Sequence, residues 1–513
     1  MLSGPRTARL AGVVAVAATL AHALLYLGWM LDDAYISFRY ARHLARGDGM
    51  VFNVGERVEG YTNFLWVLLC ALGIRVGVGP ELLTPLLSLA SVVALALVVR
   101  AASLWLSTRD DGVTDPSAAL AAMTVVAATQ SIALYGSNGL ETVLFAVWVA
   151  LAAWSMVARW PLRFAAFTSL AFLTRPEAGL VGVAGVGLFA LDAARDPSRR
   201  AALAKALVAL AAGVLPYLGW KLSWFGAVLP NTFHAKPGNL AVGLRYAVIG
   251  AAPVFGALAL AIRDASQPTT EAPRARETRE LLGLGLGLVV ATAVEGGDWM
   301  PAFRLLAAST VVLAMALDGA VARAITKGGR ARALAVASLA LCVLWNAHRT
   351  REDLAVVPVV ARHEAQLVAI ATALRRVGVR SVALTDVGRV GWILEDAVIT
   401  DLGALTDATL ARVDGTLLAK PISERYLAQR SPEVLLLNSR MPVRVLPGTT
   451  RPAAAPMWKV ERSVLETQWF QTRTRYACTM VVYEQHFIHV FERADLPPRV
   501  AGSTPACVPL VLR

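Results

Sequence analysis

The sequence predicts a polytopic α-helical membrane protein, with about 11 transmembrane helices and a C-terminal extracytoplasmic α/β domain. Three observations lead there. The 513 residues are 56% hydrophobic, with a mean hydropathy of +0.56. Only 17% are charged, against roughly a quarter in ordinary soluble domains. Long apolar runs recur through the first two thirds of the chain, near the roughly 20 residues a helix needs to cross the hydrocarbon core. A membrane β-barrel would show alternating segments of about 10 residues. The runs here are continuous, so the spans are helices.

In chain order the predicted spans cover 10–30, 81–106, 117–134, 140–158, 162–174, 177–192, 204–224, 241–262, 281–295, 303–322 and 333–347. A further apolar stretch, 63–74, is too short to cross and reads as a re-entrant or interfacial helix ended by Arg75. The short spans at 162–174 and 177–192 flank Arg175-Pro176-Glu177. Such a broken pair suits a cavity, where irregular backbone is tolerated at membrane depth.

Orientation follows from Lys and Arg in alternate loops. One set, including Arg6, Arg9, Arg159, Arg195, Arg199, Arg276 and Lys327, holds seventeen; the other, before the C-terminal domain, holds eight. The positive-inside rule puts the richer set and the N-terminus in the cytoplasm, and an odd number of spans puts the C-terminal domain outside. A cleaved signal peptide in 1–30 is the other reading of the basic start and Ala21-His22-Ala23, but the apolar run is long for one. The net charge of +13 reflects these loops, and a nucleic-acid partner is rejected. The protein is expected in the plasma (inner) membrane, among lipids.

The membrane domain is read as 1–347, with its first outer loop at 31–62, and the soluble α/β domain as 348–513. In the latter, short apolar runs at 382–384, 398–399 and 434–437 alternate with helical stretches at 362–377 and 423–430. Cys70 and Cys342 lie in or beside apolar runs and read as packing residues. Cys478 and Cys507 lie in the outer domain, where a disulfide is a candidate.

With that sidedness the unusual polar residues fall on one face: Asp32 and Asp33; Tyr135 to Glu141; Arg175 to Glu177; Leu229 to Lys236; and Glu295 to Arg304. Ionisable residues at a membrane boundary are expensive unless paired or wet, and so are candidates for function. Asp32 and Asp33 can act as a proton acceptor, hold a divalent metal or a sugar hydroxyl, or simply cap a helix. Residues 35–46 form an amphipathic helix, with Ile36, Tyr40, His43 and Leu44 on one stripe and Arg39, Arg42 and Arg46 on another, which suits the membrane surface. There is no Cys/His cluster with zinc spacing and no phosphate-binding Gly-rich loop.

This plan resembles the GT-C glycosyltransferases, which use polyprenyl-phosphate sugars as donors. Six stretches carry the resemblance: Asp32-Asp-Ala-Tyr-Ile-Ser-Phe-Arg-Tyr-Ala-Arg42, Val51-Phe-Asn-Val-Gly-Glu-Arg-Val-Glu59, Asn138-Gly-Leu-Glu141, Thr174-Arg-Pro-Glu177, Leu229-Pro-Asn-Thr232 and Gly296-Gly-Asp-Trp-Met-Pro301. They look like the bacterial group that includes the mycobacterial terminal β-(1→2)-arabinofuranosyltransferase. Leu384-Thr-Asp-Val-Gly388 and Thr400-Asp-Leu-Gly-Ala-Leu-Thr-Asp407 look like the soluble domain of related bacterial proteins.

The resemblance implies transfer of a sugar, with arabinofuranose the one this group suggests, to a hydroxyl of a cell-envelope glycan or similar acceptor. Asp33 or Asp32 would be the general base. Arg304, Arg175 and Lys236 would bind the donor phosphate, since cations offset the charge that develops there. Asp298, Glu295, His234, Glu141, Glu59 and Asn231 would contact sugar or acceptor. A divalent cation (Mg or Mn) on Asp32 and Asp33 is the one cofactor considered. The rival readings are a flippase for lipid-linked sugar, which would show inverted repeats, and a membrane sensor or scaffold.

Overall fold

The computed structural model describes residues 5–111, 119–266, 273–442, 444–445, 452–453, 455–483 and 486–500. The helical part begins with α1 (Pro5–Leu24), α2 (Asp32–Arg46), α3 (Phe64–Arg75), α4 (Pro80–Asp111), α5 (Leu120–Ala128), α6 (Gln130–Leu134), α7 (Thr142–Val157) and α8 (Pro161–Thr174). It continues with α9 (Gly179–Arg195), α10 (Arg200–Phe225), α11 (Asn231–Ala235), α12 (Leu240–Ala251), α13 (Phe255–Ala265), α14 (Pro273–Val294), α15 (Ala307–Lys327) and α16 (Gly329–Arg376). Each predicted span contains helix, although the first ends at Leu24 and not at residue 30. By length and composition, six helical segments of the described chain can cross a membrane, and shorter apolar helices lie at Arg9–Leu24, Phe64–Arg75, Thr142–Val157 and Pro161–Thr174. The chain is a multi-pass membrane protein. Its most buried long helix is α15, at the centre of the bundle.

Three predicted spans differ in form. The stretch 117–134 breaks at Thr129, whose extended backbone separates α5 from α6. The stretch 241–262 is interrupted by a 3-10 turn at Ala252-Pro253-Val254, because proline lacks the amide proton an α-helix needs there. The last span does not stop at 347: α16 runs 48 residues to Arg376. At 1.5 Å per residue that is about 72 Å, so its C-terminal part packs on the α/β unit.

That unit holds β1 (Ser381–Leu384), α17 (Val387–Ile393), β2 (Val398–Asp401), α18 (Ala408–Ala411), α19 (Glu424–Arg430), β3 (Val434–Ser439), β4 (Arg444–Val445), β5 (Pro452–Ala453), α20 (Lys459–Glu466), α21 (Gln468–Arg473), β6 (Thr474–Tyr483) and β7 (His486–Arg493). The five-stranded sheet has the order β2-β1-β3-β7-β6. β1 pairs in parallel with β2 (Ser381 opposite Val398) and with β3 (Val382 opposite Val434), whereas β7 runs antiparallel to β3 and β6. β3 is buried along its whole length, as an apolar central strand covered on both faces should be. Cys478 on β6 is buried and disulfide-bonded; Cys507 lies outside the described residues. Cys70 and Cys342 are buried free thiols.

The segment 31–62 clamps the α/β unit to the bundle. The amphipathic pattern of α2 suits a helix at the membrane surface. Instead Ala34 through Ala41 and His43 are buried. Arg39, 1% exposed, donates to the carbonyls of Phe52 (2.6 Å), Gly391, Leu394 (2.9 Å) and Ala397 (2.7 Å). Arg42 lies over the Trp392 ring and donates to the Trp392 carbonyl at 2.7 Å. The amphipathic pattern was real, but its polar face meets protein carbonyls. Asn53 completes the clamp: its side chain donates to the Ile399 carbonyl (2.9 Å) and accepts the Ile399 amide (3.0 Å), covering the outer edge of β2.

Candidate functional site

The five predicted polar segments converge at the end of the bundle that carries the α/β unit. The Leu31 amide donates to the Asn138 carbonyl at 3.2 Å, and Trp66 Nε1 to the Gly139 carbonyl at 2.9 Å. Tyr135 Oη donates to the Pro301 carbonyl at 3.0 Å. The basic loops meet at the other end, where Arg159 and Arg199 pair with Asp192 (2.8 and 3.2 Å) and Arg276 pairs with Asp192 and Glu280 (2.7 and 2.9 Å).

Asp32 and Asp33 open α2 in its first turn, but Leu31 holds the cap position and neither carboxylate caps α2. Asp32 caps a different helix. Its two oxygens accept the amides of Gly388 (2.9 Å) and Arg389 (2.7 Å) at the start of α17. Gly388 is required there, since a Cβ would stand 1.9 Å from the Asp32 carbonyl oxygen. Asp33 is half-buried, and its carboxylate has no hydrogen-bond or ion-pair partner among the described residues. Burial holds Asp33 above the ordinary carboxylate range; Lys236 and Arg304 oppose that rise, and Asp298 and Asp386 add to it. Burial also raises Asp32 well above its usual range, with Glu364 and Asp386 adding to the effect.

The cationic side faces Asp33. Arg304 is ion-paired with Asp298, and Asp298 Oδ1 accepts the Met300 amide at 3.4 Å. Burial would raise Asp298, but Arg304 and Lys236 outweigh it and leave the carboxyl below its usual range. Just before Arg304 the backbone of Ala302 and Phe303 is left-handed, at φ of 60° and 51°. Such geometry is unfavourable by roughly 1–2 kcal/mol per non-glycine residue and concentrates at functional sites. The Phe303 ring is seated against Tyr246, 5.1 Å between centroids. Lys236, just after α11, is half-buried; its backbone amide donates to the Thr232 carbonyl at 3.0 Å, and its ammonium has no ion-pair or hydrogen-bond partner among the described residues.

Arg175 is already committed. It reaches Glu141 at 3.1 Å and Glu177 at 2.5 Å, and Glu141 in turn accepts from Asn63 at 2.8 Å, which bonds Ser37 of α2. Glu295 shares a pocket with Arg175, Glu177 and Arg304.

Two predicted contacts, Asn231 and Glu59, are engaged elsewhere. Asn231 donates to the carbonyls of Ala404 (3.0 Å), Leu405 (2.9 Å) and Asp407 (3.2 Å), so it ties α11 to the α/β unit. Glu59 pairs with Lys221 at 2.9 Å, and both are buried. The ring of His234 meets Phe233, and its carbonyl accepts from Lys420 at 3.4 Å. Lys221 was missed; a lone lysine near the end of an apolar helix is the signal that would have found it. Asp386, His363, Glu364 and Arg389 beside Asp32 were missed because no local pattern joins them.

Among the described residues no three His, Cys, Asp or Glu side chains converge to hold a metal ion. Both Asp32 oxygens are occupied by amides.

The fold is similar to that of two solved proteins. ArnT from Cupriavidus metallidurans, solved bound to undecaprenyl phosphate, superposes with a TM-score of 0.57 over 96% of this chain and 98% of that one, at 13% identity. The archaeal oligosaccharyltransferase AglB from Archaeoglobus fulgidus, solved with an inhibitory peptide and a dolichol-phosphate, gives 0.55 over 92% and 79%, at 12% identity. In sequence, 229 residues are 31% identical to the terminal β-(1→2)-arabinofuranosyltransferase of Mycobacterium tuberculosis, covering 40% of this chain. A 38-residue stretch is 53% identical to the protein of the same name in Corynebacterium glutamicum. The chain spans 35% and 6% of the lengths of these two relatives. No protein-family model matches it.

Proposed function

We propose that the chain transfers a sugar from a polyprenyl-phosphate donor to a hydroxyl on the extracytoplasmic face, with Asp33 as general base. One observation carries this reading: Asp33, a carboxylate with no hydrogen-bond or ion-pair partner among the described residues, lies near enough to Lys236 and Arg304 for both to lower its pKa. The acceptor hydroxyl gives its proton to Asp33 as its oxygen bonds the anomeric carbon. The anomeric carbon–oxygen bond breaks, and its electron pair leaves with the polyprenyl phosphate. Lys236 and Arg304 offset the charge that develops on that phosphate. Burial keeps Asp33 more basic than a surface aspartate, as a base working near neutral pH requires.

Arabinofuranose is the donor sugar favoured here, supported by the mycobacterial relative. The N-terminus is placed in the cytoplasm and the α/β unit outside, supported by the gathering of the basic loops at the opposite end.

The test is transfer from a panel of polyprenyl-phosphate sugars by full-length protein in detergent. Asp33→Asn should reduce kcat by about a hundredfold or more, and Lys236→Met should weaken the donor step. Transfer by Asp33→Asn at the wild-type rate would defeat the assignment.

A further inference from the structure

The α/β unit carries a polar cluster that the mechanism above does not use. From β1 the chain moves out to β2 and then crosses back to β3 on the other side of β1. Open α/β sheets bind ligands in the crevice at the carboxyl ends of strands where the strand order reverses in this way. Here Thr385 and Asp386 follow directly on β1, and β3 carries Asn438 near its end. Asn438 Nδ2 donates to Thr385 Oγ1 (2.9 Å) and to Asp386 Oδ2 (3.2 Å), while its Oδ1 lies 2.9 Å from His486 Nε2. His363, reaching in from α16, packs on the His486 ring at 4.9 Å.

Asp386 occupies the N-cap position of α17, yet its side chain caps nothing, because Asp32 has taken that role. Its carboxylate turns toward His363 (3.8 Å), and the two side chains remain 37% and 19% exposed. His363 Nε2 is buried without a hydrogen-bond partner. Asp386 is also close enough to Asp33 and Asp32 to raise both.

Two groups of charge bear on Asp33 and Asp32. Lys236 and Arg304 lower Asp33, Arg304 being paired with Asp298. Asp386 raises both aspartates, and Glu364, paired with Arg389 at 2.5 Å, raises Asp32. An anion is attracted to the first group and repelled from the second. A neutral diol fits the second, since a carboxylate accepts two hydroxyl protons and an imidazole donates or accepts one bond.

We infer that Asp386 and His363 form the acceptor subsite, and that the acceptor it selects is a neutral glycan rather than an anionic one. This rests on the glycosyl-transfer reading and supplies the substrate class it lacks.

The test is saturation-transfer NMR on full-length protein in detergent, using neutral methyl oligosaccharide glycosides and their uronic-acid counterparts. Wild type should bind the neutral set about tenfold more tightly than the uronates. Asp386→Asn and the milder His363→Gln should each weaken neutral binding about tenfold. Undecaprenyl phosphate affinity and thermal stability should stay at wild-type values, which reports that the variants fold. Unchanged glycan binding in both variants, a preference for uronates, or no neutral binding by wild type overturns the subsite. Asp386-dependent binding without transfer from any donor leaves the subsite standing and brings down the transfer reading alone.

Discussion

Asp32 and Arg39, seven residues apart on α2, hold the two ends of α17. Asp32 takes the Gly388 and Arg389 amides at its start, and Arg39 takes the Gly391 and Leu394 carbonyls at its finish. Seven residues of helix rise about 10.5 Å, which is also the length of the seven-residue α17. A carboxylate at a helix N-terminus and a guanidinium at its C-terminus complement the helix dipole. The acidic pair at 32–33 therefore divides its labour: one residue docks the α/β unit, and its neighbour is left uncommitted.

Asp32→Ala should lower stability by about 1–3 kcal/mol, since two buried amides lose their acceptor. Hydrogen exchange should accelerate in α17 before the bundle is affected. Asp33→Ala should leave α17 exchange at the wild-type rate.

Arg175→Ala should behave as a folding defect. It strands Glu141 and Glu177 in a buried site, an arrangement that costs about 3–5 kcal/mol. The double change of Arg175→Met with Glu141→Gln should recover part of the loss in thermal melts.

Ala302→Gly relieves a left-handed backbone and should stabilise the protein by about 1 kcal/mol. If that backbone fixes Arg304, the same variant raises KM for the donor. A rise in melting temperature with unchanged KM would separate strain from function.

Burial pushes Glu461 up to about 8, although the Asn438 and Trp458 amides oppose the rise. A raised carboxyl pKa means that the folded state holds its proton more tightly. Its stabilising share is complete below the unfolded value of about 4.5 and is lost as pH rises through 8. The α/β unit should accordingly melt at lower temperature at pH 8.5 than at pH 6, and Glu461→Gln should flatten that slope. The sign for activity is opposite, because Asp33 acts when deprotonated. kcat/KM should rise with pH, with its acid limb above the ordinary aspartate value near 4.

Much of the bundle was legible because its signal is local. An apolar run specifies a helix wherever lipid is the solvent. The α5/α6 break at Thr129 carries no proline or glycine to announce it. The continuation of α16 past 347 was hidden by its change from apolar to polar surface, which marks a change of solvent and not of backbone. The site was half legible. Lys236 and Arg304 lie within electrostatic reach of Asp33. Asn231 and Glu59 looked equally functional, yet tertiary partners more than 150 residues away occupy them. The pairing of Asp386 with His363 exists only after α16 and β1 have packed.

Asn53 has a consequence for anyone who cuts this chain in two. By filling both hydrogen-bonding positions of Ile399, it acts as a one-residue strand on the open side of β2. Expressed without residues 31–62, the α/β unit would present that side bare, along with the carbonyls Arg39 normally occupies. Exposed edges recruit other strands. The first loop therefore covers a sheet edge that would otherwise be free to pair with another strand.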